Sequence, residues 1–361
     1  MNDPRIRNHA KLLVQYCIAA KTRQTVGVSG NSVTEPLISC IYEELLKAGA
    51  YPAIRMSPAG LSCSLFCYGK KHHFTTVSPF QRAYAECVDA TIGIQSQTNT
   101  RELSGVDPRK SVALARASHA LSDKMSGKAW VLTLFPTEAY AQDAAMGLSD
   151  FEDFVYGAMF ADEDDPIAAW KDIRHKQQRL ISKLHGADKV RIVGRGTDVT
   201  FSVKGRKFVN SDGHRNMPSG EVFAAPIETS AEGFIEFDYP ICRDGREIEG
   251  VRLVFKNGAV VEATATKQQN YLNAMLNTDK GSRKLGEFGI GTNTRIDKFI
   301  KNILFDEKIG GTIHLAVGKS PLQTKGKNDS AIHWDMIKDL RKGGSIHIDG
   351  RLFQKDGKFI S

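Results

Sequence analysis

The period of the apolar residues changes once along this 361-residue chain, and that change limits the folds open to it. Up to about residue 187, short runs of β-formers alternate with stretches whose apolar residues recur at helical spacing. Ile6, Leu12, Leu13 and Tyr16 form such a stripe across residues 5–21, and a short strand around Thr25–Ser29 follows. Residues 33–48 predict a second helix that stops at Gly49. Tyr51–Met56, Ala90–Gln95 and Trp130–Phe135 are further strand candidates, with a helix opened by Asp107-Pro108 running to about Met125 between the last two. Strands separated by helices in this order predict an α/β domain with a parallel sheet. The acidic break Asp162-Glu163-Asp164-Asp165-Pro166 reads as the cap of one more helix, ending near His185.

Beyond that helix the texture becomes strand alternation punctuated by glycine. Val190–Phe208 and Phe234–Val261 alternate in this way, and Arg243-Asp244-Gly245 and Lys256-Asn257-Gly258 carry hairpin-turn chemistry. Asp349-Gly350 separates two final strands, Ser345–Ile348 and Arg351–Gln354. The expectation is an N-terminal parallel-sheet α/β domain over residues 1–187, followed by a mostly antiparallel α+β metal-binding domain over residues 188–361.

Composition excludes several classes. The surplus of 49 Lys and Arg over 41 Asp and Glu is small and scattered, so a solvated basic surface is expected and nucleic acid is not an expected partner. None of the six cysteines forms a CxxC pair, which argues against a structural zinc site and for reduced thiols in a cytoplasmic protein. No stretch of about 18 apolar residues offers a membrane span, and the N-terminus has no signal-peptide pattern. Gly27–Gly30 follows a strand but lacks a GxGxxG fingerprint, so it reads as a plain strand–helix turn.

The residues suited to chemistry lie in the second half. His333-Trp334-Asp335 places an imidazole and a carboxylate on one side of an extended backbone, where both can hold one ion. His314 sits in a glycine-bounded apolar run, where a lone histidine is commonly a satisfied core residue. Glu221 follows Pro218-Ser219-Gly220, and Glu287 stands between Gly286 and Phe288-Gly289. Either glutamate alone reads equally well as a solvated loop residue. Glycine beside a carboxylate permits close backbone approach or positive φ. Together, two histidines and three carboxylates are enough ligands for two divalent ions sharing a bridging group.

At this point the residues resemble a known family. Arg215-Asn216-Met217-Pro218-Ser219-Gly220-Glu221, Phe288-Gly289-Ile290-Gly291-Thr292-Asn293, the run Lys301–His314 and Ser330-Ala331-Ile332-His333-Trp334-Asp335 are similar to the thermophilic-type (M29) metalloaminopeptidases. The resemblance implies that Glu221, Glu287, His314, His333 and Asp335 bind two divalent metal ions (Zn, Co, Mn or Mg), with Glu287 bridging. It implies a peptide substrate with a free N-terminus, a bridging-hydroxide mechanism and a homodimer. Glu287, Glu228 and Glu307 are the candidates for a catalytic carboxylate. The family pattern has a tyrosine seven residues after the first histidine; here Pro321 stands there, so Ser320 or Lys319 would have to replace a phenol. Two other readings remain at this level. One is a mononuclear non-haem iron ring-cleaving dioxygenase, related to the dihydroxypyridine dioxygenases and using His314, His333 and Asp335. The other is a catalytically impaired homologue acting as a binding module.

Overall fold

The computed structural model describes residues 3–243 and 245–360. Its contacts divide the chain into two compact units, Met1–Lys171 with Gly213–Ser219, and Asp172–Asp212 with Gly220–Ser361. The division falls inside the helix Pro166–Lys183, and a short excursion at 213–219 returns to the first unit. A continuous helix carries no composition signal at such a point.

The first unit is built on a parallel sheet in the order Tyr51–Ser57, Thr25–Asn31, Ala90–Gln95, Ala129–Leu134, Asn216–Met217. Val26, Val28, Ile92, Val131 and Leu134 are buried in it, as expected for strands covered on both faces. Gly49 adopts φ +74 at the end of the helix Glu35–Lys47, the left-handed stop its position predicts. The first helix is regular only over Pro4–Lys11; Leu12–Cys17 widen into i→i+5 turns. Leu12, Leu13, Val14, Tyr16 and Cys17 are all buried there, so the stripe spreads around the helix. Short helices at Leu61–Tyr68, Lys71–Thr75, Pro79–Cys87, Glu138–Asp143 and Leu148–Ala158 were not read from the sequence.

Among the described residues, the second unit carries two large antiparallel sheets and a two-stranded one. The larger runs Ala259–Thr264, Arg252–Lys256, Glu232–Glu236, Thr197–Ser202, Lys189–Gly194, Ser345–Ile348, Arg351–Lys355, Lys358–Phe359. Its hairpins at Asn257-Gly258 and Asp349-Gly350 have positive φ at both turn residues, which matches the strand twist. The expected turn at Arg243-Asp244-Gly245 includes Asp244, outside the described residues; the flanking Ile241–Arg243 and Arg246–Ile248 pair antiparallel. The smaller sheet runs His333–Asp339, Thr312–Gly318, Leu285–Gly291, Glu221–Ala224, Val209–Ser211. One apolar core joins the sheets: Val190, Ile192, Val199 and Phe201 from the larger, Val222, Phe288, Leu315 and Met336 from the smaller. Phe201 and Phe288 meet edge-on at 5.2 Å. Among the described residues no helix is long and apolar enough to cross a membrane.

Candidate metal centre

Phe288, Ile290, Leu315 and Val317 of the smaller sheet turn toward this core. By alternation, Glu287, Gly289 and Gly291 turn the other way. Register then decides who meets whom: Gly291 pairs with Glu221, Gly289 with His314, Ala316 with both Glu287 and Asp335, and Gly318 with His333. One face therefore bears three carboxylates and two imidazoles around a floor of Gly289, Gly291, Ala316 and Gly318. A bulge between Leu285 and Glu287 re-aims the strand just before its carboxylate.

Two glycines make this arrangement possible. A Cβ on Gly289 would lie 2.0 Å from Cε1 and 2.2 Å from Nε2 of His314, so the imidazole fills space that only glycine leaves. Gly220 has φ +115, and a Cβ there would stand 2.7 Å from that of Asn293. Gln177 Nε2 donates to the carbonyl of Glu221 at 2.5 Å and to that of Ser211 at 3.2 Å, fixing the start of the strand.

All five expected side chains converge. His314 Nε2 lies 3.3 Å from Glu221 Oε2 and 3.3 Å from Glu287 Oε1; His333 Nε2 lies 3.5 Å from Glu287 Oε2 and 3.3 Å from Asp335 Oδ1. Each ring is oriented from behind. His314 Nδ1 donates to the Glu307 carbonyl at 3.1 Å, and His333 Nδ1 to the Lys319 carbonyl at 2.7 Å. A carbonyl only accepts, so Nε2 is left to face the cluster, the orientation of a metal-binding imidazole. Glu221 Oε2 and Asp335 Oδ1 are buried without a hydrogen-bond partner, which a cation would remedy. The donor set thus fits divalent ions. Glu221, Glu287 and His314 form one triad close enough to share an ion, and Glu287, His333 and Asp335 form another.

The electrostatics agree with that fit. His314 and His333 are both pushed up to about 10. Burial is the largest single influence and works downward. It is outweighed by Glu287, Glu221 and Asp335 around His314, and by Asp335 and Glu287 beside His333. Asp335 is held well below the ordinary carboxylate range: burial opposes this, and the charge of His333 prevails. Positive charge, as proton or metal ion, is what this face favours.

Of the other candidates, Glu307 joins the cluster: with His314 and Asp335 it forms a third group of potential ligands. Burial raises its carboxyl to about 7, opposed by the charge of Lys308. Lys308, which the sequence reading did not single out, has a fully buried side chain whose ammonium contacts Glu307 and lies 3.6 Å from Glu221 Oε1. Glu228 is engaged elsewhere, accepting from Arg206 at 2.6 Å and from the Lys327 backbone at 2.7 Å. Lys319 contributes its carbonyl to His333, while its ammonium lies 3.8 Å from Asp329. Pro321 precedes a short turn at Leu322–Thr324, and Ser320 is buried. Asp279 pins the approach to His333, accepting from Ala331 N at 2.7 Å and Ser330 Oγ at 3.0 Å.

A carboxylate–imidazole face of this kind, on an antiparallel unit that follows a parallel α/β unit, is suited to holding divalent metal ions. The chain belongs to the thermophilic metalloprotease family (M29), whose family model matches residues 2–359. It is 27% identical over 403 aligned positions to aminopeptidase 2 of Geobacillus stearothermophilus, covering 99% of this chain and 95% of that one. It is 25% identical to aminopeptidase PepS of Streptococcus thermophilus, covering 96% and 95%. The solved structure of wild-type AmpT from Thermus thermophilus superposes with a TM-score of 0.86 over 99% of both chains at 19% identity, so the fold is shared.

Proposed function

We propose that this chain is a metal-dependent aminopeptidase that releases N-terminal residues from peptides at a two-ion centre. The observation that carries this reading is that Glu287 is shared by the triad with Glu221 and His314 and the triad with His333 and Asp335, with Oε1 facing His314 and Oε2 facing His333. A bridging carboxylate would give one oxygen to each ion. Glu221 and His314 would complete one ion position, and His333 and Asp335 the other. When bound, two divalent ions (Zn, Co, Mn or Mg) supply Lewis acidity for the scissile carbonyl and a water that ionises near pH ~7. The names of the relatives supply the exopeptidase direction. The same reading includes a homodimer in the cytoplasm, to be checked by sedimentation and fractionation.

The chain's own groups divide the remaining work. The carbonyls of Glu307 and Lys319 keep both imidazoles in one tautomer. Glu307, grouped with His314 and Asp335, is the candidate to take a proton from the attacking water and pass it to the leaving amine. Glu307→Gln is expected to lower kcat by about 10²–10⁴-fold while leaving metal content unchanged. Loss of metal from that variant would make Glu307 a ligand instead. Gly289→Ala drives a methyl into His314 and is expected to lower kcat/KM by roughly 10²-fold, the scale of an ångström of misplacement. Wild-type rates in Gly289→Ala would show that the ring has room to move.

The iron-dioxygenase reading is disfavoured, because among the described residues no three-ligand group contains both His314 and His333. Reconstitution tests the main reading. Metal-stripped protein is expected to regain cleavage of aminoacyl-anilides with Zn²⁺, Co²⁺ or Mn²⁺ and to hold two ions per chain. One iron per chain, or no turnover with any metal and any N-terminal residue, overturns it.

A further inference from the structure

A cavity of about 220 Å³ opens beside His333 and Asp335. It has room for roughly seven waters at ~30 Å³ each, enough for a branched aliphatic or aromatic side chain. Much of its wall is apolar: Ile241 and Ile337 are buried, Phe299 is half-buried, and Ile303 keeps 42% of its surface exposed. Phe299 is held in place by stacking on Tyr239, with centroids 4.8 Å apart and planes 13° from parallel. The cavity meets the centre on its accessible side, since the His333 side chain is 36% exposed and that of His314 only 1%.

We infer that this cavity receives the side chain of the substrate's first residue and selects uncharged apolar side chains over basic ones; the inference rests on the aminopeptidase reading. The charged groups bordering the cavity decide the sign. Arg243 donates to the His333 carbonyl at 2.9 Å, and Lys301 pairs with Glu247 at 3.0 Å, so two cations flank the wall. Of the bordering carboxylates, Asp335 faces the imidazole of His333, and Asp306 is buried and accepts from the Ile300 backbone at 2.8 Å. A lysine or arginine side chain entering here meets like charge and gains no available carboxylate among the described residues. An aliphatic or aromatic one covers exposed Ile303 and displaces water from apolar wall.

The test is a kcat/KM series on leucine, phenylalanine, alanine and lysine anilides, with wild type and Ile303→Asp. Ile303 is the first residue of the short helix Ile303–Asp306, where an acidic side chain suits the helix dipole and the fold is retained. Leucine is expected to exceed alanine about tenfold or more, the discrimination available from a few methylenes. It is expected to exceed lysine by at least as much. Ile303→Asp is expected to shift the leucine-to-lysine ratio toward lysine by about tenfold, chiefly through KM. A flat wild-type series, or a variant that lowers all four substrates equally, overturns the cavity assignment and leaves the aminopeptidase reading standing. Calorimetry of L-leucinamide and L-lysinamide on the metal-loaded protein separates the two ideas when turnover is absent. Preference for leucinamide that Ile303→Asp reverses then supports the cavity while the hydrolytic reading fails, and equal binding overturns both.

Discussion

Glu287→Ala is expected to lose roughly 10³-fold or more in kcat/KM, the scale of removing a group on which the transition state depends, and to bind both metal ions more weakly. The reason is its double membership. Of the two triads proposed to hold the ions, Glu221→Ala or Asp335→Ala removes a ligand from one, whereas Glu287→Ala removes one from each. Elemental analysis after extensive dialysis checks this directly: wild type is expected to retain two ions per chain, the Glu221→Ala and Asp335→Ala proteins nearer one, and Glu287→Ala fewest. A Glu287→Ala protein that keeps both ions would end the bridging assignment. The carboxyl is raised above its ordinary value by burial, against the pull of His314 and His333, so removing it also relieves a desolvation cost. The fold is expected to survive this substitution even as the chemistry fails.

Lys308→Met is expected to destabilise the metal-free protein by about 3–5 kcal/mol, measured by urea unfolding, as breaking a buried ion pair from one side does. The Lys308 side chain is wholly buried, and its ammonium faces Glu307 and Glu221, themselves buried. Burial works against its charge, but Glu221, Glu307 and Asp335 outweigh burial and hold the lysine protonated. Methionine fills a similar volume and leaves those carboxylates facing one another without the cation. Added divalent metal is expected to restore part of the loss, because it supplies positive charge to the same carboxylates. A variant as stable as wild type in the presence of a chelator would show that Glu307 and Glu221 take up protons at no cost.

How much of this was legible depended on what each residue needed from its neighbours. Glu221, Glu287, His314 and His333-Trp334-Asp335 stood out because alternation and glycine framing are properties of the chain itself, and all five converge. Their mutual placement rests on register across the Glu221–Ala224, Leu285–Gly291, Thr312–Gly318 and His333–Asp339 strands, which is a long-range property. One signal was available and unused: Glu287, Gly289 and Gly291 at every second position leave a strand one face without bulk. Lys308 could not have been found, since nothing in Glu307-Lys308 separates a buried lysine from a solvated one. The short helices between residues 61 and 87 give too few turns for a period to emerge. Leu12–Cys17 defeats the amphipathic test because every residue in it except Gln15 is buried.

Because the ligands stand on the odd or even positions of four paired strands, length within those strands and length between them have opposite meanings. Inserting one residue inside Leu285–Gly291 or Thr312–Gly318 would turn the site's side chains into the apolar core and the core's side chains outward. Adding or deleting residues in the connection between Gly318 and His333 leaves that parity untouched. Diversity among chains of this design should therefore concentrate in their turns, and engineering that reshapes entry to the centre belongs there too.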